Sequence, residues 1–198
     1  MTAFHALVLA GGAGTRFGGG KLLAPWRDGV LLDGALTAAF AAPVAGVTLV
    51  TGADRDRVAA AARSFADRAG QSDRLAIIHA ADHAEGMAAT LRAGVASLPQ
   101  NVSGIVVFLG DMPLIPDGVA AVLIDALAGG APAAVPVFNG RRGHPAALGR
   151  ALFAQVAALH GDEGARRILM DLGDRLACIP IDDPGVVIDV DRAADLPT

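Results

Sequence analysis

Residues 6–21 read ALVLAGGAGTRFGGGK, a short apolar run followed directly by a glycine-rich segment with two basic residues. The run Ala6–Leu9 predicts a buried strand, because fully apolar strands are typical of sheets covered on both faces. The glycines after it let the backbone approach a ligand closely, and consecutive amide N–H groups form a concave anion site. Since Arg16 and Lys21 add two positive charges, the segment predicts recognition of a triphosphate.

Short apolar runs and Ala-rich, helical stretches alternate along the rest of the chain. Strands are predicted near Ala6–Leu9, Val47–Val50, Leu75–Ile78, Ile105–Leu109, Ala133–Phe138, Leu176–Ile181 and Val186–Val190. Helices are predicted near Leu32–Phe40, Asp54–Ala69, Gly86–Ser97, Asp117–Leu127, Leu148–Leu159 and Glu163–Leu172. The pattern predicts one α/β domain over residues 1–198, a three-layer α/β/α sandwich with a mostly parallel, Rossmann-like sheet. In such a sheet the ligand site lies beyond the carboxyl ends of the strands.

The composition excludes several classes of protein. Hydrophobic residues make up 53% of the chain and charged residues 18%, which excludes a disordered chain. No apolar run reaches the ~18 residues that a membrane span needs, and the first residues lack the basic region of a signal peptide. The single cysteine, Cys178, cannot form an internal disulfide, so the sequence predicts a cytoplasmic protein. A net charge of −4 without a basic stripe argues against nucleic acid as the partner.

The glycine-rich segment does not match the two common phosphate-binding loops. A Walker motif requires glycine and a hydroxyl residue where the chain has Thr15 and Leu22, and a dinucleotide fingerprint starting at Gly12 requires glycine at Phe17. Lys21 is the only lysine among the 16 Lys and Arg residues. Because a compact ammonium differs from a planar guanidinium, position 21 is predicted to require the smaller ammonium group. The alternative is that the lysine is at this position by chance.

The pattern Leu-Ala-Gly-Gly-x-Gly-x-Arg-Phe-Gly, followed by Lys-Leu-Leu, resembles the signature of nucleotidyltransferases with a glycosyltransferase-A-like fold, the nucleotide-diphospho-sugar transferase type. Its continuation, Lys21–Trp26, resembles the group of molybdenum cofactor cytidylyltransferases and guanylyltransferases. This resemblance implies catalytic roles for Arg16, Lys21 and Asp111. It also implies a nucleotide site formed by Leu9, Ala10, Gly11, Gly12, Ala13, Gly14 and Lys21.

Two acidic segments are candidates for metal binding. Asp111 follows the predicted strand Ile105–Leu109, and a buried carboxylate there needs an ion pair or a bound cation. The resemblance implies that Asp111 holds Mg²⁺, with Mn²⁺ as the alternative. Near the carboxyl terminus, Asp189 and Asp191 share one side of an extended segment, and the resemblance implies that Asp191, in preference to Asp189, is the second ligand. The alternatives are that Asp111 only starts a turn, and that Asp189 and Asp191 belong to a solvated acidic terminus.

Three further segments resemble the base and acceptor sites of the same group. Gly86, Met87 and Thr90 match a segment against the nucleobase, although Ala88 and Ala89 replace serines of the family. The glycines Gly11 and Gly12, together with these two small alanines, would leave room for a purine. The acceptor side is implied to comprise Met112, Pro113, His144, Pro145 and Asp162. The alternatives are that Gly86 only starts a helix, that Asp162 only caps one, and that His144 is an ordinary turn histidine.

The resemblance implies transfer of a nucleotide, CMP in preference, from a triphosphate to the terminal phosphate of molybdopterin carrying molybdenum, with release of pyrophosphate. The product would serve a molybdenum hydroxylase, directly or through its maturation chaperone. A GTP-dependent enzyme is an alternative, because Leu9–Gly12 looks like the GTP-using branch. The other two alternative functions are a sugar-phosphate nucleotidyltransferase and a non-catalytic nucleotide-binding chaperone.

Overall fold

A computed structural model of the chain describes residues 3–162 and 164–196, with every side chain in these ranges except that of Arg16. The strands of this part are β1 (Ala3–Ala10), β2 (Pro25–Trp26), β3 (Gly29–Val30), β4 (Val47–Thr51), β5 (Leu75–His79), β6 (Val102–Leu109), β7 (Ala133–Phe138), β8 (Arg141–Arg142), β9 (Ala146–Gly149) and β10 (Leu176–Pro180). The α-helices are α1 (Leu31–Ala41), α2 (Arg55–Arg68), α3 (Met87–Ala96), α4 (Val119–Ala128), α5 (Phe153–Ala157) and α6 (Arg166–Asp171).

One sheet organises the fold, with the strand order β10-β7-β9-β6-β1-β4-β5 and with β8 paired to β7. The central strand β1 pairs in parallel with β4 and β6, and Leu9 lies in register with Val50 on one side and Leu109 on the other. These three strands therefore end at the same edge of the sheet. Strand β9 runs antiparallel between β6 and β7, so the residues just before it lie at that same edge.

Both faces of the sheet are covered by helices, as the alternation of side chains on β1 requires. Val8 points to a core that includes α1, α2 and α4, whereas Leu7 points to a core that includes α3, α5 and α6, and both residues are fully buried. The prediction of a three-layer sandwich with a mostly parallel sheet is confirmed. None of the helices in the described ranges is long and apolar enough to span a membrane.

A third, smaller cluster attaches the carboxyl-terminal segment to the hairpin formed by β2 and β3. Trp26, Leu31 and Val190 are buried together, with Leu114 and Leu196 packed against them. The hairpin was not predicted from the sequence, because its strands are two residues long.

Two predicted elements are wrong. The segment Val186–Val190 is not a strand: Pro184–Val187 forms a 3₁₀ helix and residues 188–190 form no regular structure. Val186 is buried in the core beneath α1, α2 and α4, whereas Val190 is buried in the small cluster with Trp26, so the two do not share one sheet face. The predicted helix Leu148–Leu159 begins as strand β9, since Leu148 pairs with Ile105 in the middle of the sheet.

The other elements lie within a few residues of their predicted positions. The last helix begins at Arg166, later than the predicted Glu163, which itself lies outside the described residues.

Helix α1 supports the loop that follows β6 through a close backbone contact. A Cβ added to Gly34 would lie 2.5 Å from the carbonyl oxygen of Pro113 and 2.6 Å from its Cα. Gly34 is buried, so a side chain there could not turn towards solvent. The contact fixes the distance between α1 and the residues next to Asp111.

We expect Gly34→Ala to destabilise the protein, although the same change in an open helix stabilises by about 1 kcal/mol. Overpacking of this kind costs about 1–3 kcal/mol, which lowers the melting temperature by roughly 2–10 °C in a domain of this size. Gly129→Ala is the matched control, because Gly129 has an ordinary helical φ of −74° and its nearest neighbour would be 3.4 Å away. Equal melting temperatures for the two variants in thermal unfolding would contradict the proposed contact.

Candidate active site

The loops at the carboxyl edge of the sheet surround a cavity of about 700 Å³, a volume typical of small-molecule sites. Asp111 and Asp162 lie on its wall. Every residue that the sequence predicts to bind the nucleotide also lines this cavity: Leu9, Ala10, Gly11, Gly12, Ala13, Gly14, Lys21, Gly86, Met87 and Thr90. The fold thus brings together residues that are up to 153 positions apart in the chain, from Leu9 to Asp162.

The glycine-rich loop folds back so that its last residue returns to the end of β1. Gly14 and Gly20 have φ values of 58° and 63°, in the left-handed region that favours glycine. They precede two single 3₁₀ turns, Thr15–Phe17 and Lys21–Leu23. The side chain of Arg16 lies outside the described part of the structure, so its catalytic role stays a prediction.

Lys21 lies between the two carboxylates predicted to bind metal. Its Nζ is 2.6 Å from Oδ2 of Asp111 and 3.6 Å from Oδ1 of Asp191. The Lys21 side chain is only 13% exposed, compared with 24% for Asp111 and 43% for Asp191. Asp189 is exposed, and Asp191 is the member of the pair that lies beside Lys21.

Backbone hydrogen bonds hold the two aspartates together. The amide of Gly110 donates to the carbonyl of Leu9 at 2.9 Å, which fixes the start of the acidic loop, residues 110–113 after β6, to β1. The amide of Val190 donates to the carbonyl of Asp111 at 3.0 Å, which brings Asp191 to the same edge. The convergence of two carboxylates on one cation, with hard oxygen donors, is a donor set that suits Mg²⁺ or Mn²⁺.

Gly11 packs against α3 and does not open room for a base. A Cβ on Gly11 would overlap with Cγ2 of Thr90, and Thr90 is held in place because its hydroxyl donates to the carbonyl of Met87 at 2.9 Å. On the other side, Gly52 lies against the backbone of Gly11. The expectation that Gly11 provides space for a purine is therefore wrong, whereas a Cβ on Gly12 would meet open space.

Asp162 lines this first cavity, next to Gly86. The amide of Ala88 donates to the carbonyl of Gly161 at 3.0 Å, and a Cβ on Gly86 would overlap with the Asp162 carboxylate. Arg92 fixes the preceding turn by donating to the carbonyl of Leu159 at 2.6 Å. The structure thus brings Asp162 to the nucleotide side of the site.

A second cavity, of about 600 Å³, adjoins the first and shares the side chains of Leu9, Met87 and Leu109 with it. Its floor is mostly apolar, and two of the exposed large hydrophobic residues, Met87 and Met170, border it. Three arginines also line it: Arg141, Arg142 and Arg166. The arrangement suits a ligand with an apolar ring system and negative charge.

His144 lines the second cavity, near the acidic loop. Its backbone amide donates to the carbonyl of Val186 at 2.8 Å, which holds the residue at the sheet edge. Its ring atom Nδ1 is buried and has no hydrogen-bond partner among the described residues. Burial lowers the pKa of His144 below its ordinary value, while a hydrogen bond with the backbone of Val107 and the negative charge of Asp111 act in the opposite direction. The ring is therefore neutral at pH 7.

Three residues predicted to bind the acceptor line neither cavity. Met112 is 3% exposed and lies in the core under α1. Pro113 packs on Gly34 and faces a groove on the far side of α1. Pro145 is buried behind His144. Conversely, none of the three arginines was among the residues predicted to bind the acceptor, although Arg166 ends the segment that contains Asp162 and the other two form β8 just before His144.

Comparisons with known proteins extend over most of the chain. A family model described as the MobA-like NTP transferase domain matches residues 6–176. Molybdenum cofactor cytidylyltransferase of Escherichia coli (strain K12) is 24% identical over 198 residues, covering 100% of this chain and 96% of that protein. The crystal structure of Rv0371c from Mycobacterium tuberculosis H37Rv has a TM-score of 0.83 at 28% identity, covering 98% of this chain and 95% of that one. A manganese complex of Rv0371c gives a TM-score of 0.78 at 27% identity, covering 98% of this chain and 95% of that one.

We expect Gly11→Ala to destabilise the protein by about 1–3 kcal/mol, the usual cost of overpacking. The double variant Gly11→Ala/Thr90→Ser should recover most of that loss, because serine keeps the hydroxyl but lacks the Cγ2 atom that the new methyl would meet. Thr90→Ser alone is the control. Thermal unfolding of the four proteins measures the coupling, and a double variant as unstable as Gly11→Ala would contradict this contact.

Proposed function

This chain belongs to the MobA-like NTP transferase domain family, and on that basis we propose that it transfers a nucleotide from a triphosphate to the phosphate of a molybdopterin-type acceptor. The single observation that carries the proposal is that the cavity lined by Lys21 and Asp111 adjoins a second cavity, with which it shares Leu9, Met87 and Leu109. One cavity has a glycine loop for a triphosphate, and the other has an apolar floor with arginines for a phosphorylated heterocycle. The name of the Escherichia coli relative supports the same acceptor.

The reaction needs no protein nucleophile. An oxygen of the acceptor phosphate, already ionised at neutral pH, attacks the α-phosphorus; the new P–O bond forms as the bond from the α-phosphorus to the β-phosphate oxygen breaks, and pyrophosphate leaves with that electron pair. The protein positions the reactants and neutralises charge. Loop amides from Gly11 to Gly14 would hold the phosphates, and Lys21 and Arg16 would stabilise the charge that develops on them.

Asp111 and Asp191 would hold Mg²⁺, or Mn²⁺, and the ion would neutralise the phosphate oxygens. Within residues 3–162 and 164–196 no three His, Cys, Asp or Glu side chains gather as a metal site. A metal here would accordingly take its other ligands from phosphate and water, as Mg²⁺ does in phosphoryl-transfer sites. The manganese complex of Rv0371c supports a divalent metal.

CTP is the favoured triphosphate, because the Escherichia coli relative is a cytidylyltransferase. GTP is the runner-up, since Leu9–Gly12 looks like the GTP-using branch. We place the enzyme in the cytoplasm as one domain of residues 1–198. The dinucleotide product would pass to a molybdenum hydroxylase or to its maturation chaperone.

The function is tested by incubating the protein with Mg²⁺, molybdenum cofactor and equimolar CTP and GTP, and by detecting the dinucleotide product by mass spectrometry together with pyrophosphate. We expect the cytosine dinucleotide in excess. Asp111→Asn, which keeps the size of the side chain, should lower product formation at least about a hundredfold. A guanine dinucleotide in excess would overturn the base preference alone. If neither dinucleotide forms, the proposed acceptor is contradicted.

The acceptor cavity is tested with two neighbouring arginines of α6. Arg166 lines the second cavity and Arg167 does not, so Arg166→Met should raise the KM for the acceptor about tenfold, the loss of one charge-assisted contact. The KM for the triphosphate should stay unchanged, and Arg167→Met should change neither constant. Equal effects of the two variants on the acceptor KM would contradict a role for this cavity.

A further inference from the structure

The ammonium of Lys21 occupies the position where the two predicted metal ligands converge. Its Nζ lies 2.6 Å from the Asp111 carboxylate and 3.6 Å from the Asp191 carboxylate. The two carboxylates come from loops far apart in sequence, and like charges held this close repel each other unless a cation lies between them. Lys21 therefore offsets part of the negative charge of the site while the ligands of the reaction are absent.

A divalent ion held by both carboxylates would lie within a few ångströms of this ammonium. Two cations at that distance repel each other strongly, and more strongly where the site is shielded from water. Lys21 is mostly buried, so the metal and the ammonium compete for the same two carboxylates. A metal alone can bind there only by displacing Lys21 from its ion pairs.

From this geometry we infer that Lys21 is the resident counter-ion of the metal site, and that it leaves Asp111 and Asp191 only when a metal ion arrives together with a triphosphate. The inference rests on the proposed function for the identity of these two ligands. The triphosphate supplies what the metal alone lacks: new anionic partners for the ammonium on the adjacent loop of the first cavity, which Lys21 also lines. A flexible lysine stem allows that movement, whereas a planar guanidinium would need more space.

Metal binding without nucleotide tests the competition directly. We expect Lys21→Met to bind Mn²⁺ at least about tenfold more tightly than wild type in a titration followed by electron paramagnetic resonance, a coupling of ordinary size for two competing sites. Arg192→Met is the control for net charge, because Arg192 is exposed and adjacent to Asp191 in the chain; it should change the affinity less than threefold. In the Lys21→Met background, adding Asp111→Asn should abolish the increase in Mn²⁺ affinity, whereas adding Asp189→Asn should leave it in place.

The wild-type protein gives an independent readout, because Lys21 is its only lysine. Labelling with ¹³Cε-lysine therefore yields one side-chain signal in the NMR spectrum. Millimolar Mg²⁺ alone should leave the signal in place, whereas Mg²⁺ with a non-hydrolysable CTP or GTP analogue should shift it. Asp111→Asn should shift it in the absence of any ligand. This experiment decides the question even if Lys21→Met does not fold.

The outcomes separate the two proposals. If wild type binds the metal–triphosphate analogue but also binds Mn²⁺ alone as tightly as Lys21→Met does, the counter-ion inference is overturned and the proposed function stands. An unchanged lysine signal on binding of the analogue overturns it as well. If wild type binds neither analogue, the proposed function and the inference are overturned together.

Discussion

Two negative charges held at one edge of a sheet require a positive charge between them, and the site is built around that requirement. Asp111 comes directly from the strand next to β1, while Asp191 is carried to it by a segment that lies outside the sheet. The hydrogen bond between Val190 and Asp111 and the burial of Val190 beside Trp26 hold that segment in place. The glycine loop then returns Lys21 to the same point. Loop conformation, hairpin packing and strand register all converge on this ion pair.

The antiparallel strand β9 brings part of the second cavity to the carboxyl edge of the sheet. By entering the sheet between β6 and β7, it places the turn with His144 beside the carboxyl end of β6. Without this reversal, a further parallel strand would begin at the opposite edge, and its preceding loop would lie far from Asp111. The second cavity therefore depends on the direction of one four-residue strand.

Much of the fold could be predicted from local patterns, since the apolar runs at β1 and β4 to β7 are long enough to identify. The rule that sites lie beyond the carboxyl ends of parallel strands then brought Gly11, Gly86 and Asp111 together. Strand β9 could not be found in this way, because a short Ala-rich segment becomes a strand only through its two neighbours. The short apolar run Val186–Val190 is typical of a strand, but both sides of β6, which leads into the acidic loop, are already occupied by β1 and β9. The position of Asp162 depends on the contact that Arg92 makes with Leu159, which spacing cannot reveal.

Glycine and alanine make up seven of the 16 residues that line the first cavity, and this affects how such an enzyme can change its substrate. Where the main chain itself meets the ligand, exchanging one side chain alters little except packing, as at Gly11. A new base preference would then require a different path of the backbone, through insertions, deletions or altered turns. Related enzymes should accordingly differ in loop length and shape around this cavity more than in the chemical identity of individual side chains.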